Sequence, residues 1–160
     1  MPRRKSVGLI RDIGVDPRFN SGLVQRMINM IMERGKKNVA RAIVYEALDV
    51  LVKKAGNDEK KGLQMFEKAI VLVKPAVEVK SRRVGGGVYQ IPTEVRPRRA
   101  LALSLRWIIK AAASRSDKTM GKRLASEFLD IIDGRGAALK KKTDVHRMAE
   151  ANRAFSHYAW

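Results

Sequence analysis

The sequence contains no cysteine, which removes disulfides, thiolate metal sites and cysteine nucleophiles together. A reducing compartment is compatible with that composition. No apolar run approaches the roughly 20 residues that a bilayer-spanning helix needs. Acids are the other scarcity. Asp and Glu total 16 against 34 Lys and Arg, for a formal net charge of +18. Such an excess opposes folding by self-repulsion unless an anionic partner neutralises it. Nucleic acid leads as that partner, ahead of an acidic membrane surface.

The motifs of common enzymes are missing as well. There is no His-Glu-x-x-His, no Gly-x-Ser-x-Gly and no dinucleotide glycine fingerprint. The acids are scattered rather than paired, which leaves a catalytic or metal role without ligands. Nor is there a Gly-x-x-Gly clamp or a ribonucleoprotein sheet motif of the modular RNA readers. These absences argue against an enzyme and against any bound cofactor.

What is present is one domain of ordinary composition. The chain has 160 residues, and 45% are hydrophobic, enough to bury a core. The cations cluster in residues 1–11, 33–41, 74–99, 115–123 and 134–147, and the remainder is close to neutral. A solvated lysine-rich face mixes both signs; a nearly neutral body with basic patches reads as a binding surface.

Residues 1–17 read as a basic, flexible arm, because Gly8, Gly14 and Pro17 interrupt any helix. Residues 18–160 then form the helical domain. Asn20 or Ser21 is a candidate cap for a first helix with Leu23, Val24, Met27, Ile28 and Ile31 on one face, ending near Gly35. A second carries Val39, Ile43, Ala47, Val50 and Leu51, with Val44, Tyr45, Leu48 and Val52 on its other side. A helix apolar around so much of its circumference belongs at the centre of the core. After Gly56, Asn57 is read as the cap of a third helix with Leu63, Phe66, Ile70 and Val73, which Pro75 terminates.

The period then changes. Residues 76–80 alternate apolar and polar, and Val88–Ile91 are rich in strand formers, so about 76–92 reads as one protruding β-hairpin with a Gly85-Gly86-Gly87 tip. Two strands alone are marginal in water and must lean on the body or a partner. Three further helices follow, the last with only a thin apolar stripe of Val145, Met148, Ala149, Asn152 and Phe155. The expectation is a mainly α fold of six helices with one hairpin insertion.

Basic residues crowd the hairpin and the helix starts. Arg96, Arg98 and Arg99 precede the fourth helix, where backbone N–H groups already attract phosphate and acids would otherwise be preferred. Arg forks bind phosphate bidentately. The hairpin offers Lys80, Arg82 and Arg83, with Tyr89 as a candidate base-stacking ring or, equally, a ring packed on the body. Lys36 and Lys37 open the second helix, Lys118, Lys122 and Arg123 the fifth, and Arg135, Lys140, Lys141 and Lys142 the sixth. Repetition suggests that helix ends converge on one RNA surface. Trp107 reads as core, and His146 and His157 as surface residues or RNA contacts. An architectural DNA-binding protein with a basic β-arm is the alternative.

Three stretches carry a closer likeness. The run from Asn20 to Leu48 with Arg34-Gly35-Lys36-Lys37-Asn38-Val39-Ala40, the run Pro75-Ala76-Val77-Glu78-Val79-Lys80-Ser81-Arg82-Arg83-Val84-Gly85-Gly86, and Ala111-Ala112-Ala113-Ser114-Arg115 resemble the signatures of the small-subunit ribosomal protein seven family, bacterial type. The opening Met1-Pro2-Arg3-Arg4 fits too. The resemblance implies a six-helix domain with a β-ribbon that is a primary binder of the 3′ major domain of 16S rRNA and nucleates assembly of the subunit head. It implies a place in the cytoplasmic 30S subunit beside head and platform proteins, near exit-site tRNA and upstream mRNA. It carries RNA contacts onto Arg3, Arg4, Lys5, Lys36, Lys37, Arg82, Arg83, Arg96, Arg98, Arg99, Arg115, Lys118 and Lys122.

Overall fold

The computed structural model describes residues 12–158. The expected arm therefore falls outside the described residues as far as residue 11, with Arg3, Arg4 and Lys5, as does Trp160. Six α-helices and one hairpin follow in the order α1 (Gly22–Ile31), α2 (Lys37–Lys54), α3 (Glu59–Val73), β1 (Val77–Val84), β2 (Gly87–Glu94), α4 (Pro97–Ala113), α5 (Met120–Ile132) and α6 (Ala137–Ala151), with a closing 3-10 turn over Arg153–Tyr158.

Apolar spacing places the core. Val24, Met27, Ile28, Leu48, Leu51, Phe66, Ile70, Leu105, Ile108, Leu124, Phe128 and Ile131 are buried in one cluster contributed by the first five helices. The Phe66 and Phe128 rings meet edge to face at 5.3 Å between α3 and α5, the arrangement their quadrupoles favour. Helix α2 packs on α1, α3 and α5, the central place its wide apolar surface implied. Its inward stripe is Ala40, Val44, Ala47, Leu48 and Leu51, and Val39 is 56% exposed. The sequence reading had the stripe start one residue early. Val39 falls one position off the stripe that Ala40, Val44, Ala47 and Leu51 define at helical spacing, and so faces outward. At Gly62 a Cβ would lie 2.5 Å from the Val52 side chain, so glycine lets α3 approach α2.

The turns follow backbone chemistry. Arg34 and Gly35 both have positive φ, at 50° and 77°, and reverse the chain between α1 and α2. Ser21 occupies the cap position of α1, yet its side chain makes no capping bond. The third helix is capped by Asp58, whose carboxylate accepts from the N–H groups of Lys60 and Lys61 at 2.9 and 3.3 Å. Asn57, the residue expected there, instead has φ 61° and donates its N–H to the Val52 carbonyl. It closes α2 rather than opening α3.

The hairpin is antiparallel, paired from Val77 with Glu94 to Val84 with Gly87. It runs two residues further along β2 than the sequence reading placed it. Gly85 and Gly86, at φ 57° and 89°, form the two-residue loop, a conformation that suits glycine and matches strand twist. The ribbon leans on the body through α6 and the 3-10 turn. The thin stripe of α6 is used for this: Val145 and Ala149 are buried, whereas Met148 stays 38% exposed.

Candidate nucleic-acid interface

Every buried acid of the described residues holds down a basic or connecting element. Asp16 is wholly buried. Its carboxylate accepts from the Arg18 and Phe19 N–H groups, both at 3.1 Å, and from the Tyr45 hydroxyl at 2.8 Å. This pins the segment entering α1 to α2. Burial, then the bond to Asp16, raises the Tyr45 pKa, so the phenol stays a donor.

Glu78, on β1, is the second. Arg99 donates its Nε–H to both Glu78 carboxylate oxygens, at 3.0 and 2.8 Å, and the Lys80 ammonium lies 3.4 Å from the same carboxylate. The root of the hairpin is thereby tied to the first turn of α4. Glu127, on α5, is the third and is fully buried. It accepts from Arg115 Nε at 2.8 Å and from the Ala138 N–H at 2.9 Å. Arg115 also pairs with Asp130. Burial works to lower the Arg115 pKa, but bonds to Asp130 and Glu127 outweigh it, and the guanidinium is held more firmly protonated than usual.

These acids divide the expected RNA contacts into two groups. Arg99, Arg115 and Lys80 face protein carboxylates. Lys142 donates to the Leu72 carbonyl at 2.7 Å, and Arg82 to the Tyr158 carbonyl, also at 2.7 Å. In the second group, Lys36, Lys37, Arg83, Arg96, Arg98, Lys118, Lys122, Lys140 and Lys141 are exposed and make no side-chain ion pair among the described residues. Arg99 and Arg115 thus act as internal counter-ions, a role sequence reasoning did not assign to them.

The arrangement brings some candidates together and separates others. Lys80, Arg96 and Arg99 line one hollow with Glu78, Thr93 and Ser156, between the hairpin root and the start of α4. Lys80 and Arg82 line an adjacent one with Ile91. Arg98 joins Arg26 at a groove between α1 and α4. The root of the hairpin and the start of α4 therefore share hollows lined by Lys80, Arg82, Arg96 and Arg99, beside the acids Glu78 and Glu94. The start of α6 lies elsewhere, since Lys141 borders a groove with the second half of α4. Of the several helix starts expected to share one RNA surface, that of α6 is therefore set apart from that of α4. Arg26 and Arg106 were not singled out, because each sits alone within a helical apolar pattern.

Arg82 and Tyr89 are directly opposed on the ribbon. Both meet the 3-10 turn: the Tyr89 ring lies 4.6 Å from that of Phe155. The body-side packing of Tyr89, weighed equally with base stacking, is the one observed, with 37% of the residue exposed. Arg83 pairs with Val88 on the opposite face, and both are open to solvent. His146 is not a free surface residue. Its Nε2 accepts the Ala76 N–H at 3.2 Å, fastening α6 to the start of the ribbon. Burial, then the Lys142 charge, lowers its pKa.

Among the described residues, no group of three or more His, Asp or Glu is placed to hold a metal ion. No helix there is long and apolar enough to cross a membrane.

Comparison with known proteins agrees with this picture. The family model described as Ribosomal protein S7p/S5e matches residues 2–153. Over 160 residues, spanning all of both chains, the sequence is 56% identical to Small ribosomal subunit protein uS7 of Shewanella amazonensis. Over the same span it is 54% identical to its counterpart in Vibrio vulnificus and 53% to that of Aeromonas salmonicida. A family model matched over residues 2–153, with relatives 53–56% identical along the whole of both chains, shows that the chain belongs to the ribosomal protein S7p/S5e family.

Proposed function

We propose that this chain is a structural, non-enzymatic constituent of the small ribosomal subunit in the cytoplasm, and that it works by binding rRNA. Its family membership along the whole chain supports the first part. The second rests on one observation: acids inside the fold neutralise Lys80, Arg99 and Arg115, while Arg83, Arg96 and Arg98 remain exposed and without a counter-ion among the described residues. A folded protein that spends its few buried acids on anchoring basic elements, and leaves their outer cations open, is built for a polyanion.

The finer reading is that the target is the 3′ major domain of 16S rRNA, where the protein nucleates the subunit head, beside head and platform proteins and near exit-site tRNA and upstream mRNA. The ribbon and the start of α4 would bind phosphates, with RNA shape supplying selectivity. Of the basic arm expected over residues 1–17, the part before Asp16 would add further phosphate contacts, since Asp16 itself is fixed to the body through Tyr45. Binding of a 3′ major domain transcript, in competition with unrelated structured RNA and duplex DNA, tests this. Strong preference for the transcript is expected. Equal binding to duplex DNA would favour an architectural DNA-binding protein instead.

A further inference from the structure

A second basic groove lies away from the ribbon. Helix α6 runs back along α4, and Arg106, Trp107, Lys110, Ala111 and Ser114 of α4 face Ala137, Ala138 and Lys141 of α6 across it. The site begins about 10 Å from Arg99 along α4, at 1.5 Å rise per residue between positions 99 and 106. It is therefore separate from the surface at the hairpin root.

Its chemistry is specific in kind. Arg106, Lys110 and Lys141 are exposed and make no side-chain ion pair among the described residues. No acid lines the groove. Trp107, expected in the core, is only half-buried; part of it packs on the core cluster. Its indole N–H has no acceptor among the described residues. The alanines keep the space beside the ring open. Three like charges around an indole oppose one another unless an anion enters. A nucleotide carries an anionic phosphate and an aromatic face on one short unit, which suits a cationic rim around Trp107.

We propose that this groove is a second RNA site, in which a base of an unpaired or looped nucleotide lies against Trp107 and its phosphates meet Arg106, Lys110 and Lys141. The proposal rests on the RNA-binding function above. Together with the ribbon surface, it has the protein hold two RNA segments, one at the start of α4 and one along its second half.

The test uses the full chain carrying Trp160→Phe, which leaves Trp107 as the sole indole of the two in the sequence. Its fluorescence is followed while a 3′ major domain transcript is added. The indole signal is expected to change and to saturate with binding. Arg106→Gln with Lys110→Gln, both at exposed helix positions, is expected to weaken binding about fivefold to tenfold and to flatten the salt dependence. Retained helicity by circular dichroism keeps that comparison fair. Unchanged fluorescence, with the double variant binding as tightly as its parent, overturns the second site while leaving the ribbon surface intact. A fluorescence change produced only by small-subunit proteins overturns it in favour of a protein interface. Failure of the parent to bind the transcript overturns the functional reading and this site together.

Discussion

Arg99 donates its Nε–H to both carboxylate oxygens of Glu78, at 3.0 and 2.8 Å. Glu78 is buried on the ribbon and Arg99 opens α4, so this contact sets the ribbon's angle on the body. Its neighbour Arg98 has no protein partner among the described residues. The two adjacent arginines therefore differ in what their loss does. Arg98→Ala is expected to weaken RNA binding with a Tm change within about 1–2 °C, the size of an ordinary surface substitution. Arg99→Ala is expected to weaken binding and also to cost about 1 kcal/mol of stability, a figure held low because the Arg99 side chain is 55% exposed and screened. Paired thermal melts and binding titrations check this; equal melting points for the two variants would refute the distinction.

The Glu127 network makes a larger claim. Glu127→Ala removes a fully buried acceptor and leaves Arg115 and the Ala138 N–H without it. A loss of about 2–4 kcal/mol is expected. Urea denaturation reads it as a lower midpoint with an unchanged slope. A midpoint within error of the parent would show that water replaces the carboxylate without cost.

Much of this organisation was legible in the sequence. Helical spacing revealed every α-helix, and alternation with a glycine run revealed the ribbon, because apolar periodicity reports burial directly. The ion pairs were not legible. Glu78 meets Arg99 and Glu127 meets Arg115 only after the chain folds, and no local pattern distinguishes an arginine facing RNA from one facing a carboxylate. Asn57 and Asp58 are both good caps, and which of them adopts positive φ depends on how α2 ends. His146 read as surface because its acceptor role depends on the Ala76 N–H, which is remote in sequence.

The His146 contact gives a pH dependence. The imidazole accepts a hydrogen bond, so it serves as the neutral form, and its folded pKa lies below the ordinary 6.5. The unfolded chain binds the proton more readily. The stabilising contribution is thus present above pH 6.5 and is lost as pH falls through the folded pKa. Melting temperature should fall on acidification in that window, and His146→Gln should flatten the fall. Identical pH profiles would show that the contact carries no weight.

Glycine at position 62 is a packing requirement. Gly62→Ala places a methyl group where Val52 already stands, with its side chain 2.5 Å and its backbone 3.0 Å away. Overpacking of this kind costs about 1–3 kcal/mol. The gain in helix propensity recovers at most about 1 kcal/mol. A stabilised variant in calorimetry would mean that α2 and α3 separate easily.

The central claim is that cations left unpaired by the fold supply the affinity for rRNA. The salt dependence of binding to a 3′ major domain transcript tests it most directly, for the parent and for Arg83→Ala, Arg96→Ala and Arg98→Ala. The affinity of the parent should fall steeply with added salt, and each substitution should lower the logarithmic slope by about 1. Slopes that match the parent in all three variants would contradict the account and place the RNA on another surface.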